Sequence, residues 1–312
     1  MRILHMTDVH FLQPPPIKGL LGKRALGMAN LYLAGRKSKF DATTLVGLAV
    51  DDALQWDADL FVFTGDLTAL AVDREFVQGH QAFAPLLETM PSIMIPGNHD
   101  TYTREATRAA RMEHYLGAYM AGGQWNTQES AWSGAEGLRG GVDWPVEFRL
   151  GDTTLVATNP CRPSLRATGR FGSGALRRAE AMTQAALGEG RQVVYLLHYP
   201  PLARDGSPYT HSGHCLEDVD ELLASLRRAP PSLVLHGHKH DAWRVDLQVV
   251  GSDVVPIFNC GTTSAVSTTP SRTAGYFIYD LQGGQLRSVR RRMLLAGAGR
   301  FVDDSADFGV AV

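Results

Sequence analysis

The sequence predicts a four-layer α/β fold, an αββα sandwich with its functional loops at the C-terminal ends of strands. Three observations carry this. Apolar strand patterns alternate with amphipathic helix patterns through the first hundred residues, which predicts a mainly parallel sheet with helices on its faces. The second half adds further strand-like runs with two helices among them, enough for a second sheet packed on the first. Polar residues with metal-ligand chemistry fall just after short apolar runs, where buried strands meet their loops.

In order, RILHMT reads as a strand, Thr43 to Gln55 as a helix, DLFVFTGD as a strand, Arg74 to Met90 as a helix and SIMIPGN as a strand. Residues 101–140 break the rhythm. Met112, Tyr115, Leu116 and Tyr119 have helical spacing that ends at a glycine pair, so a helical excursion and then a polar, glycine-rich loop near the site are expected. Strands follow at WPVEFRL, TTLVATN, QVVYLLH, SLVLHG, DAWRVDLQVV, VPIFNCG and AGYFIYDL, with helices near Ser173 to Leu187 and Glu217 to Arg228. A catalytic domain over 1–292 is expected, with a C-terminal tail over 293–312 that starts as an ordered strand end and runs into a mobile acidic stretch carrying Asp303, Asp304 and Asp307.

Composition limits the functional classes. The chain has 312 residues, 44% hydrophobic and 20% charged, with a formal charge of −2, so no global field would recruit nucleic acid. Cys161, Cys215 and Cys260 are odd in number and widely spaced, which argues for reduced thiols and against a disulfide framework. The N-terminal MRILHMTDVH runs straight into a strand, and no apolar stretch is long enough to span a bilayer, so a cytoplasmic protein is expected.

The chemistry is concentrated in five segments: Asp8-Val9-His10, Gly65-Asp66, Gly97-Asn98-His99-Asp100, His198, and Gly237-His238-Lys239-His240. Carboxylate, neutral imidazole and one amide oxygen suit hard to borderline divalent ions, and no thiolate lies in any segment. Asp8, His10, Asp66, Asn98, His198, His238 and His240 are too many ligands for one tetrahedral metal and about right for two ions sharing a carboxylate. Manganese, iron and zinc all accept this set. Of the other histidines, His5, His80, His114 and His236 read as structural, with His211 and His214 in a loop within reach of the site.

The series DxH, GD, GNHD, a lone histidine in LLHYP, and GHxH resembles the calcineurin-like metallophosphoesterase superfamily over roughly residues 1–285. The full GNHD and short chain look most like its bacterial cyclic-nucleotide phosphodiesterase-like group. The resemblance implies that Asp8, His10 and His240 bind one metal and Asn98, His198 and His238 the other, with Asp66 bridging. It implies a binuclear phosphoesterase that hydrolyses phosphodiesters by attack of metal-bound hydroxide. His99 would then assist the leaving group, and Asp100 would orient its imidazole or cap a helix.

Substrate recognition is less sharply marked. NPCRPSLRATGR follows a strand, and guanidinium groups there suit capture of a small phosphorylated substrate, so Arg162 and Arg166 are candidates, with Lys239 beside the ligands. Residues 17–40 form a basic, apolar insertion with Lys18, Lys23, Arg24, Arg36, Lys37 and Lys39 and no acidic residue. Such a segment is suited to peripheral contact with anionic lipid at the inner face of a membrane. It therefore motivates an alternative, a membrane-surface hydrolase of a phospholipid or nucleotide-linked lipid, similar to the UDP-diacylglucosamine hydrolases. A phosphomonoesterase is a further alternative, and a non-enzymatic scaffold the least favoured.

Overall fold

The computed structural model describes residues 1–14, 24, 41–135, 140–164, 166–211, 213–251, 253–295 and 297–309. Its first half runs β1 (Arg2–Met6), α1 (Ala42–Ala53), β2 (Leu60–Phe63), α2 (Asp73–Leu87), β3 (Ser92–Met94), α3 (Arg104–Arg108), α4 (Arg111–Leu116), β4 (Gly123–Asn126) and β5 (Ala131–Trp132). The second half runs β6 (Val146–Leu150), β7 (Thr153–Ala157), α5 (Ser173–Gly188), β8 (Gln192–Leu196), α6 (Val219–Arg228) and β9 (Leu233–His236). It continues through β10 (Trp243–Gln248), β11 (Val254–Asn259), β12 (Gly275–Gln282), β13 (Gln285–Leu295) and β14 (Arg300–Asp303).

Two sheets form, in the orders β14-β13-β12-β1-β2-β3 and β10-β11-β9-β8-β7-β6-β4-β5. Strands β1, β2 and β3 are parallel, as are β7, β8 and β9. Side-chain alternation then builds the layers. Leu4, Met6, Phe61 and Phe63 face one way, onto Leu45, Val46 and Ala49 of α1 and Phe76 and Phe83 of α2. Ile3, Leu60, Val62 and Ile93 face the other way, against Leu155, Val194, Leu196 and Leu235 of the second sheet. The far side of that sheet presents Val193, Tyr195 and Val234 to Leu176 and Ala179 of α5 and Leu222 and Leu226 of α6. Helix, sheet, sheet, helix is the predicted αββα order, and the central strands are apolar on both faces because both are covered.

Two expectations change. The segment 101–140 does contain helix, but its glycine-rich part pairs into the second sheet as β4 and β5, and Trp132 is buried against Ser92 O and Phe148. Its described residues form no loop at the site. In the expected C-terminal tail, the strand end at residues 293–295 is followed by a further strand, β14, because Arg300-Phe301-Val302-Asp303 alternates and turns Phe301 inward onto Tyr276, so Asp303 lies in a sheet and not in a mobile stretch. Beyond β14, Asp304 meets the buried guanidinium of Arg291 at 2.5 Å, and Gly309 O accepts from Arg244. The basic insertion at 17–40 lies outside the described residues except for Arg24. That side chain is buried and donates to Leu70 O, Ala71 O and Glu105. Among the described residues no helix is long and apolar enough to cross a membrane.

Candidate metal centre

All five motif segments follow the C-terminal ends of parallel strands: β1 for Asp8 and His10, β2 for Asp66, β3 for Asn98, β8 for His198, and β9 for His238 and His240. Two sets of parallel strands packed face to face bring these loops together at one end of the sandwich. The loops interlock through the backbone, with Asp8 N donating to Gly65 O, His10 N to Asp66 O and Gly237 N to His198 O. Asp8, His10, Asp66 and His238 all have positive φ, between 53° and 71°. Left-handed backbone is costly for residues with a Cβ and persists where the surroundings enforce it, commonly at functional sites. The glycines in the motifs serve the carboxylates. A Cβ at Gly97 would lie 2.1 Å from Asp66 Oδ1, and one at Gly237 would lie 2.4 Å from Asp8 Oδ2.

The donor atoms form three overlapping groups: Asp8, His10 and His240; His10, Asp66 and His99; and Asp66, His198 and His238. Within each group the atoms lie within 4.8 Å of one another. Nε2 of His10 and Nε2 of His240 are 2.8 Å apart and face Asp8 Oδ1 at 3.7 and 3.2 Å, while that buried oxygen accepts no hydrogen bond among the described residues. On the other side, His198 Nε2 lies 3.3 Å from Asp66 Oδ2 and 3.2 Å from Asn98 Oδ1, its Nδ1 held by Thr64 O at 2.8 Å. Convergence of carboxylate, imidazole and amide donors with a backbone acceptor behind the ring is the pattern of divalent-metal ligation, and these residues fit it.

The electrostatics agree. Burial alone would push the Asp8 and Asp66 carboxyls up, but His10 and His240 around the first, and His198 and His99 around the second, hold both well below the ordinary carboxylate range. Burial would lower His198, yet Asp66 raises it to about 9. The carboxylates thus raise His10 and His198, while burial and the neighbouring His198 hold His238 well below the ordinary histidine range, as a neutral imidazole ready to ligate requires.

His99 stands at the edge of this well. Its Nδ1 sits 2.8 Å from Ala69 O, its backbone N donates to Asp66 Oδ1, and its ring stacks on Tyr102. The expected imidazole contact of Asp100 is replaced by a structural one. The buried Asp100 carboxyl accepts from Leu67 N, Thr68 N, Thr68 Oγ1 and Gly97 N, bracing two ligand loops, and a backbone carbonyl holds the His99 ring. Burial, with Asp66 nearby, raises that carboxyl to about 6.

A cleft of about 650 Å³ opens over the donors, lined in part by Ala203, Arg204, Tyr209, His211, His214, Lys239, Asp241, Trp243 and Arg272. Lys239 is among the lining residues. Arg162 and Arg166 are not among the lining residues; Arg162 pairs with Glu217 and Thr168, and Arg166 is exposed. Sequence reasoning missed Arg204, Tyr209, Trp243 and Arg272. The first two follow the LLHYP histidine and Trp243 follows GHKH, so extending each ligand loop downstream is the signal that finds these three, while Arg272 follows no ligand motif and carries no such signal.

A model of the calcineurin-like phosphoesterase family matches residues 1–242 of this chain. The chain belongs to the calcineurin-like phosphoesterase family. Similar solved structures include a dimetal phosphatase from Danio rerio, with a TM-score of 0.55 at 15% identity over 94% of each chain. A purple acid phosphatase from yellow lupin seeds gives 0.55 at 12% identity, covering 97% of this chain. A 5′-nucleotidase precursor from Thermus thermophilus gives 0.50 at 12% identity over 93% of this chain. The chain spans 52% of the lupin protein and 53% of the nucleotidase precursor, and at these identities the likeness is one of fold. No curated protein matches the chain.

Proposed function

We propose that this calcineurin-like phosphoesterase is a binuclear phosphodiesterase. The observation that supports this most is the place of Asp66, which belongs to two of the three donor groups, with Oδ2 facing His198 at 3.3 Å and His10 at 3.8 Å. Asp8, His10 and His240 would hold one ion and Asn98, His198 and His238 the other, Asp66 serving both. When bound, two divalent ions supply Lewis acidity at a phosphoryl oxygen and lower the pKa of a water.

The chain's own groups do the rest. Ala69 O can only accept, so Nδ1 of His99 carries the hydrogen between them and proton exchange with a leaving oxygen runs through Nε2. Asp100 and the motif glycines hold the ligand loops in place. The cleft extends past the donors along Ala203, Arg204, Tyr209, Asp241 and Trp243, space that the second ester group of a diester would occupy.

The test is hydrolysis of a chromogenic phosphodiester beside the matching monoester by Mn²⁺-reconstituted protein, with Asp66→Ala as the blank. Diester preference that vanishes in the variant is expected. Monoester preference would overturn the diesterase reading.

A further inference from the structure

Away from the donors, the cleft wall is cationic. Arg204, Lys239 and Arg272 line it against one carboxylate, Asp241, so three positive groups less one negative leave a charge of +2. Arg204 Nη2 lies 2.5 Å from Asp241 Oδ1 and Arg272 Nε 3.4 Å from Oδ2, so both guanidiniums share the same carboxylate. Arg204 also donates to Ala242 O, but through the same Nη2, so its Nε and Nη1 meet no acceptor among the described residues. Lys239 Nζ lies over the Tyr209 ring, 5.1 Å from its centroid, and no described carboxylate pairs with it.

Two aromatic faces fix these charges in place. Tyr209 sits under Lys239, and Trp243 lies under the Arg204 guanidinium at 5.5 Å. Like charges gathered in one concave wall repel one another, and an anion relieves that repulsion. The chain as a whole carries −2, so the wall is a local feature and not part of a generally basic surface. Arg204 and Arg272 side chains are 51% and 64% exposed, accessible to a ligand entering the cleft.

We propose that this wall binds a second phosphate, making the preferred substrate a small phosphodiester that carries another ionised phosphate. The inference rests on the phosphodiesterase reading above. The test compares the p-nitrophenyl ester of thymidine 5′-phosphate with and without a 3′-phosphate, using metal-reconstituted protein. The 3′-phosphate is expected to lower KM by about tenfold or more, as one charge-assisted contact would. In Arg204→Gln and in Lys239→Gln the ratio of the two KM values should collapse toward one. Metal content of each variant is measured alongside, because Lys239 stands between two donors. Equal KM values in the unaltered protein would overturn the proposal.

If neither diester is cleaved while a monoester is, the phosphodiesterase reading fails and the wall is judged by binding. Calorimetric titration of thymidine 3′,5′-bisphosphate against thymidine 5′-phosphate should show the bisphosphate at least about tenfold tighter, with the preference lost in Arg204→Gln. Equal affinities would overturn it there too.

Discussion

The floor and the wall of the cleft are built on different principles. Asp8, Asp66 and His198 on the floor are at most 1% exposed and sit in loops tied by backbone hydrogen bonds, with motif glycines letting backbone approach carboxylate. Arg204, Lys239 and Arg272 on the wall are held by an exposed ion pair or an aromatic face. Buried, over-determined groups fix geometry to fractions of an ångström, which chemistry requires, whereas exposed pairs contribute little stability and can be exchanged. On the proposals above, reaction type belongs to the floor and substrate choice to the wall.

The sharpest test of this division is Asp66→Ala, which should abolish bound metal and activity together while the protein stays folded, by metal analysis and circular dichroism. His99→Ala should retain metal and lose roughly 10²–10⁴ in rate if its role is proton transfer. Full metal loss in that variant would move His99 to the ligand set, which its place in a donor group with His10 and Asp66 makes a real alternative.

The support beneath the floor should respond to pH. Glu75 is buried and accepts from Leu70 N, Val72 N and Gln13 N, and burial raises it to about 7 from an ordinary 4.5. Raised above its unfolded value, it adds stability that is full below about pH 4.5 and is lost as pH rises through about 7, up to roughly 3 kcal/mol. Denaturation of Glu75→Gln across that window should show a flatter profile than the parent.

Gly97→Ala forces a methyl onto Asp66 and should cost about 1–3 kcal/mol with weakened metal binding. Arg162→Lys, outside the cleft, should leave KM and kcat within about twofold, since its exposed pair with Glu217 is worth at most about 1 kcal/mol.

The floor was legible in the sequence because each ligand comes directly after a run that is apolar on both faces, as with Leu60 to Phe63 before Asp66. The αββα order was legible for the same reason, since continuous apolar runs and helix-spaced faces survive without tertiary context. What escaped was decided at a distance. Arg162 looks like a phosphate ligand until Glu217, far along the chain, is seen beside it. β4 and β5, Gly-Gln-Trp-Asn and Ala-Trp, contain no continuous apolar run of the kind that marks β2. Asp100 neighbours His99 in sequence but points its carboxyl at the loop of Leu67 and Thr68. Residues 300–303 gain strand character from β13, which offers them an open edge.

The donor groups have a temporal consequence. His10 and His240 touch across a separation of 230 residues, and β1 finds its antiparallel partner only at β12, with Arg2 opposite Asp280. No short fragment contains either proposed ion site, so a growing chain cannot hold metal there until His238 and His240 of its 312 residues have been made. An ion that then joins the two ends closes a long loop, and loop-closure entropy makes such a staple worth more the farther apart its anchors lie. Metal capture would be a late, global event in the life of this chain, and apo protein should unfold with the whole sandwich instead of shedding one loop.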